Sequence, residues 1–284
     1  MKRLIKNTIK NILNSSLKLV YKTMPGRYFF NRVVGTVMEN VGETTHNGVH
    51  FKFATPNGLC DWRVRTFTSK EPETLEWIDN LPYSSILWDI GANVGLYSVY
   101  AAKTRNCMVY AFEPSVFNLE LLARNSVLNN QADKICIIPL PLCDKIGNNA
   151  MRLTTTEWGG ALSTFDKEFG WDGKPIKKVF EFQTIGMSMN DVVSLLKLPQ
   201  PEYIKIDVDG LEHFILRGGM SVLKELKGIL IEINDDFIEQ AEDCNRLLTE
   251  AGLVLYEKRH SEMIENNTQG FQHSYNQIWI RKKV

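Results

Sequence analysis

The chain holds 284 residues, 44% hydrophobic and 23% charged, with 33 basic against 33 acidic side chains. That is the composition of an ordinary globular protein, long enough for one large domain or a domain with an extension. No run nears the ~20 uninterrupted apolar residues of a membrane-spanning helix, and the scattered Cys60, Cys107, Cys136, Cys143 and Cys244 lack the Cys-x-x-Cys spacing of a zinc site or the even count of a disulfide framework, so they read as buried thiols in a reducing, cytoplasmic compartment.

The neutral total hides an asymmetry. Residues 1–38 carry Lys2, Arg3, Lys6, Lys10, Lys18, Lys22, Arg27 and Arg32 with no acidic residue, leaving 25 basic against 33 acidic residues in the remainder. Ile5, Ile9, Ile12, Leu13, Leu17 and Val20 recur at helical spacing and predict a basic amphipathic helix. It lacks the continuous apolar stretch of a secretory signal. Two readings stand: the stripe packs on the chain's own domain, or the helix docks on a partner or on an anionic membrane at its inner face. After Pro25-Gly26 the pattern turns extended. Residues 49–53 alternate, Thr55-Pro56-Asn57-Gly58 signals a turn and 62–65 alternate again, which predicts a β-hairpin with those two arms. Glu71-Pro72-Glu73-Thr74 opens a short helix through Trp77 and Ile78.

From Ser84 strands and helices alternate: strand 86–89, helix 96–103, strand 108–112, helix 118–129 and strand 134–140. A polar stretch over 144–178 has Trp158-Gly159-Gly160 at its middle, the composition of a mobile loop over an acceptor. Strand 203–207, helix 211–216, strand 228–233, helix 236–251 and the late strands 253–258 and 277–281 complete the pattern. Alternating βα units predict an α/β fold, a mainly parallel sheet with helices on both faces. The predicted organisation is a basic extension over 1–38, a hairpin and cap helix over 39–83 and the α/β domain over 84–284.

The chemistry gathers at Ile86-Leu87-Trp88-Asp89-Ile90-Gly91-Ala92-Asn93-Val94-Gly95. An apolar strand ends in a carboxylate, and glycines four apart let the backbone turn sharply and approach a ligand closely. The helix that follows presents free N–H groups and its positive dipole end. A second apolar run ends in Glu113, 24 positions after Asp89. In doubly wound sheets an acidic residue about 20 positions past the glycine turn hydrogen-bonds ribose hydroxyls. The pair reads as a nucleoside site, with a tight turn that binds nothing as the alternative. The close Gly-x-Gly of a dinucleotide fingerprint is absent, which opposes a nicotinamide-dependent reductase.

The Asp-x-Gly-x-x-x-Gly turn resembles the first motif of class I S-adenosylmethionine methyltransferases, and within them the chain resembles the FkbM family. The resemblance is carried by Trp88-Asp89-Ile90-Gly91-Ala92-Asn93-Val94-Gly95-Leu96-Tyr97-Ser98, by Ala111-Phe112-Glu113-Pro114, by Tyr203-Ile204-Lys205-Ile206-Asp207-Val208-Asp209-Gly210-Leu211-Glu212 and by Leu230-Ile231-Glu232-Ile233. Lys70-Glu71-Pro72-Glu73-Thr74 is similar to one branch of the family, and the likeness covers residues 62–281. Its specific part is the strand-4 motif, where Asp209 stands in place of the family's common Glu.

The resemblance implies a Rossmann-like class I methyltransferase fold, a seven-stranded, mainly parallel sheet with the last strand antiparallel. It implies S-adenosyl-L-methionine as cofactor and O-methylation of a hydroxyl on a sugar, glycolipid or related small molecule. A chain that keeps the fold without catalysis is the alternative, opposed by intact Asp89, Gly91, Gly95, Glu113 and Asp207. The implied cofactor set is Asp89, Gly91, Ala92, Asn93 and Gly95 in the turn, Glu113 and Pro114 after the second strand, and Glu71 and Asp207. Asp144 is either a contact to the adenine amino group or a turn residue.

Catalysis is expected beyond the carboxyl ends of the fourth and fifth strands, where Asp207, Asp209, Glu232 and Asn234 fall. Asp207 is base or electrostatic anchor, and His213 is either a general base near neutral pH or a packing or surface residue. Lys205 and Glu212 read as a structural pair. Asp207, Asp209 and Asn234 offer hard oxygens to Mg2+, but no compact spacing selects a metal. The acidic remainder lacks the basic face that nucleic acid requires, so the expected partner is a small molecule or glycan.

Overall fold

The computed structural model describes residues 2–260, 262–265 and 271–282; the side chains of 2–10, Ile5 and Ile9 of the N-terminal stripe among them, lie outside the described set. Two helices begin the chain, α1 (Lys2–Tyr21) and α2 (Met24–Met38). The second replaces the expected extended segment. Thr23, in extended backbone, caps it by accepting a hydrogen bond from the Gly26 N–H at 3.0 Å, and Pro25 takes the first turn, where its missing N–H leaves no orphan. Gly26 is buried in the bend, since a Cβ there would lie 1.9 Å from the Val20 carbonyl oxygen.

Strands β1 (Val41–His46) and β2 (Val49–Ala54) pair antiparallel across Asn47-Gly48. Both turn residues have positive φ, 48° and 76°, as a two-residue hairpin loop requires. The other arm foreseen for this hairpin, 62–65, is helical instead and belongs to α3 (Gly58–Arg65). Asn57 decides it, its side chain accepting from the Cys60 N–H at 2.8 Å. Helix α4 (Pro72–Asp79) starts at the expected proline. This region shares a core with the sheet that follows, as Phe51, Phe53, Phe67, Leu75 and Ile78 pack with Leu87, Tyr100, Val109 and Leu230.

Then come β3 (Ile86–Ile90), α5 (Leu96–Arg105), β4 (Met108–Phe112), α6 (Val116–Leu128) and β5 (Ile135–Ile138). The polar stretch over 144–178, expected as loop, is partly sheet. It contains β6 (Gly147–Leu153) and β7 (Thr164–Phe165), which with β8 (Phe180–Gly186) form an antiparallel sheet in the order β7-β6-β8. Helix α7 (Met189–Ser194), β9 (Tyr203–Ile206), α8 (Glu212–Arg217), α9 (Met220–Glu225), β10 (Gly228–Asn234), α10 (Ile238–Glu250), β11 (Leu253–Arg259), α11 (Glu262–Glu265) and β12 (Ser274–Arg281) complete the chain.

The main sheet has seven strands in the order β11-β12-β10-β9-β3-β4-β5. Strand β12 runs antiparallel to both its neighbours and the other pairings are parallel, the Rossmann-like arrangement expected. Central strands covered on both faces need apolar residues throughout, and Ile204, Ile206, Ile229, Leu230 and Ile231 are all fully buried. Of the cysteines, Cys60, Cys107 and Cys244 are buried, whereas Cys136 is exposed on the edge strand β5. From β3 the chain moves to β4 and β5 on one side, and later to β9 and β10 on the other. Open α/β sheets bind ligands at such a reversal, beyond the strands' carboxyl ends.

Gly95, with φ of 82°, opens α5, and a Cβ there would lie 2.3 Å from Leu122 Cδ1 on α6. Gly95→Ala is expected to lower stability by roughly 1–3 kcal/mol, through backbone strain and overpacking together. Urea unfolding reads this as a lower midpoint, and an unchanged midpoint would mean that Leu122 yields without cost.

Candidate active site

The site starts from one backbone contact. Gly91, with φ of 85°, ends β3, and a Cβ on it would lie 1.9 Å from the Asp207 carbonyl oxygen. Glycine alone lets this turn lie against the end of β9. The turn aims the Asn93 N–H at Glu113 Oε2, 2.8 Å away, while the Ser115 N–H donates to Oε1 at 2.7 Å. One such bond per oxygen leaves the carboxylate with acceptor capacity toward the cleft it lines. Burial pushes Glu113 up to about 7, only partly offset by those two N–H groups and the Asn118 side chain. Asp89 lies beneath the turn, outside the cleft: it accepts from Ser98 Oγ at 2.5 Å, and burial raises its carboxyl.

Two adjoining cavities meet at Gly91, Asn93, Ala161, Asp207 and Asp209. The narrower, about 80 Å3, is walled by Glu113, Pro114, Leu142, Met151 and Phe165. The larger, about 430 Å3, carries Arg63, Lys70, Glu71, Tyr97, Lys205 and Glu232. Lys205 is 2% exposed; its ammonium donates to Asp207 Oδ2 at 3.1 Å and sits 5.2 Å from the centre of the Tyr97 ring. Lys70 pairs with Glu71. Burial would raise Asp207 and Glu71, but their lysines outweigh it and hold both carboxyls below the usual range. Glu232 goes the other way: burial, then the charges of Asp207 and Glu71, push it well above the ordinary value, and it hydrogen-bonds Asp207.

Asp209 stands at the junction with φ of 62°. Its Oδ2 accepts from the Leu162 N–H at 2.7 Å and the Ser163 N–H at 3.3 Å. Burial and the neighbouring Asp207 raise it to about 6. A buried carboxylate beside an ion-paired one has thus acquired a different proton affinity from its neighbour, the condition under which two acids take separate roles.

The loop around Trp158-Gly159-Gly160, expected as a mobile lid, is tied down. Arg63 donates to the Gly159 carbonyl through Nε at 2.9 Å and Nη2 at 2.6 Å. Asn118 accepts from the Gly159 N–H at 3.0 Å and donates to the Gly160 carbonyl at 3.1 Å, which Asn93 also reaches at 2.8 Å. In this arrangement Gly160 lines the narrower cavity and Ala161 lines both.

Of the residues singled out in the sequence, Glu71, Gly91, Ala92, Asn93, Glu113, Pro114, Asp207 and Asp209 line this cleft. Five do not come to it: Asp89, buried beneath the turn, Gly95, which packs on Leu122, and His213, Asn234 and Asp144. His213 is fully buried on α8 against Phe214 and Phe237, and burial followed by Arg217 lowers it to about 4, so it is neutral and away from the cleft. Asn234 donates to the Trp171 carbonyl at 3.3 Å and accepts from the Asp236 N–H at 3.0 Å, which commits both ends of its side chain elsewhere. Asp144 packs beside Gly218. The Lys205–Glu212 pair does not form either. Glu212 accepts from the Val208 and Gly210 N–H groups, both at 3.1 Å, and from Gln240. Among the described residues no group of His, Cys, Asp and Glu side chains is arranged to hold a metal. Neither Lys70 nor Arg63 carries a sequence signal for a place in the cleft. The one available signal was Lys205, a charge inside an apolar strand, which demands a buried counter-charge.

A family profile described as Methyltransferase FkbM domain matches residues 89–263. The hexuronic acid methyltransferase AglP of Haloferax volcanii is 23% identical over 204 residues, which are 68% of this chain and 73% of that protein. A solved FkbM methyltransferase from Methylobacillus flagellatus aligns over 71% of this chain at 15% identity with a TM-score of 0.46; the chain spans 45% of its length. Pyrococcus horikoshii TYW2, solved with MeSAdo, aligns over 86% of this chain and 72% of its own at 13% identity, with a TM-score of 0.47.

Proposed function

The chain belongs to the FkbM family of methyltransferases, and from that premise we propose that it transfers the methyl group of S-adenosylmethionine to a hydroxyl of a sugar or sugar-bearing precursor. The observation that carries the cofactor reading is Glu113, a buried carboxylate at the cleft with one backbone N–H on each oxygen. A ribose diol offers two O–H donors to such a group, and a bidentate charge-assisted contact is strong. Pro114 continues that wall, and the Gly91–Asn93 backbone and Glu71 would hold the amino-acid end. When bound, the sulfonium supplies an already activated methyl group.

The chain's own residues then divide the remaining work. Asp207, kept ionised by Lys205 and Lys70, sets negative charge where a positively charged donor sits. Asp209, with its carboxyl at about 6, is mostly ionised at neutral pH yet basic enough to take a hydroxyl proton as the bond forms. The larger cavity leaves room for an acceptor beside the donor. Its lining of Arg63, Glu73 and Asn276 suits a molecule with several hydroxyls, as does the naming of the Haloferax volcanii relative for a hexuronic acid. Mg2+ has no assigned task, because Asp207 is already paired with Lys205 and Asn234 is committed elsewhere.

Purified protein should bind S-adenosylmethionine and not NADH by calorimetry, and should methylate a member of a sugar and sugar-nucleotide panel with release of S-adenosylhomocysteine, with or without chelator. Binding of NADH, or no binding of S-adenosylmethionine, would remove the reading. Loss of rate on chelation, restored by Mg2+, would reinstate the metal.

A further inference from the structure

The helical hairpin α1–α2 leaves its apolar side chains uncovered. Leu13 is 56% exposed, Tyr28 71%, Phe29 59% and Val34 57%. Both helices therefore present apolar surface to solvent, and the reading in which the stripe packs on the chain's own domain does not describe this hairpin. The same two helices carry Lys18, Lys22, Arg27 and Arg32, all exposed and in no ion pair among the described residues. The first acidic residue in the chain is Glu39.

We propose that the α1–α2 hairpin is a docking surface for an anionic membrane. Exposed aliphatic and aromatic side chains interleaved with basic ones fit the boundary between headgroups and acyl chains, where the first are buried and the second meet phosphates. Among the described residues no helix is long and apolar enough to cross a membrane, so the hairpin lies in the surface. A second copy is a poorer occupant, because facing two hairpins would bring cations together with no acidic partner on either. Nucleic acid would meet the cations but leave the aliphatic side chains wet.

The full chain should co-sediment with vesicles of phosphatidylglycerol mixed with phosphatidylcholine, less so at high salt, and should stay in solution with phosphatidylcholine alone. Lys18→Glu, Lys22→Glu, Arg27→Glu and Arg32→Glu combined should weaken partitioning roughly 10-fold or more. Leu13→Gln, Phe29→Gln and Val34→Gln combined should release the protein even at low salt. Both variants should keep the wild-type melting temperature, because every replaced side chain is exposed. Wild-type protein that ignores the mixed vesicles, or variants that bind them unchanged, would overturn the proposal. A lower melting temperature would assign the stripe to the core. Light scattering that shows a dimer abolished by the Gln changes would assign the face to self-association.

Discussion

Asp209→Asn is expected to cut turnover by roughly 10²-fold or more while leaving S-adenosylmethionine affinity within a few-fold. The amide keeps the shape of the carboxylate, and its oxygen can still accept from the Leu162 and Ser163 N–H groups that Asp209 holds, so the wall stays in place. What it cannot do is take a proton. In the wild type the rate should rise with pH through about 6, as the carboxyl loses its proton, and level off above. The variant should show a low rate without that limb. Steady-state kinetics over pH at saturating S-adenosylmethionine, where the Glu113 effect on affinity does not enter, decides it. A variant that retains turnover, or a limb that persists in it, would move the base elsewhere. Parallel loss of affinity and turnover would make Asp209 a cofactor or folding residue.

Glu113→Ala is expected to weaken S-adenosylmethionine binding by ~2 kcal/mol or more, the scale of charge-assisted hydrogen bonds. The carboxylate is already oriented by Asn93 and Ser115, so little ordering cost is charged to the ligand. Its proton affinity adds a signature. With the free carboxyl at about 7, protons compete with the ribose at low pH, and wild-type affinity should weaken as pH falls through that value. Glu113→Gln, with no charge to lose, should bind weakly with no such trend. Calorimetry at several pH values measures both, and unchanged affinity in the alanine variant would take the ribose away from Glu113.

Helices were misjudged where a cap outweighs a pattern. Trp62-Arg63-Val64-Arg65 alternates like a strand, yet Asn57 starts a helix ahead of it. Pro25-Gly26 reads as the end of a helix, yet the Thr23 cap and Pro25 in the first turn begin one. Asn-Gly is the stronger hairpin signal and Asn47-Gly48 forms the turn, whereas Thr55-Pro56-Asn57-Gly58 leads into a helix. The small sheet β7-β6-β8 offered a weaker cue: Phe180-Glu181-Phe182-Gln183 alternates as a strand does, but β6 opens on Gly147-Asn148-Asn149 and β7 has two residues.

By itself the sequence determined what local chemistry and periodicity can encode. Continuous apolar runs demanded central parallel strands, Gly91 and Gly95 demanded positive φ and close approach, and the spacing from Asp89 to Glu113 placed a carboxylate beside the turn. Those features depend on neighbours within one βα unit. The tertiary structure alone decided which carboxylate is paired and which is free to take a proton. Lys70 lies far from Asp207 in the chain, and Leu162 and Ser163 far from Asp209, yet they set the two acids apart. It also decided that His213 is buried away from the cleft, although it directly follows the motif over 203–212. Proton affinity depends on burial and on charges brought together by folding, and neither is a property of the residue or of its neighbours in sequence.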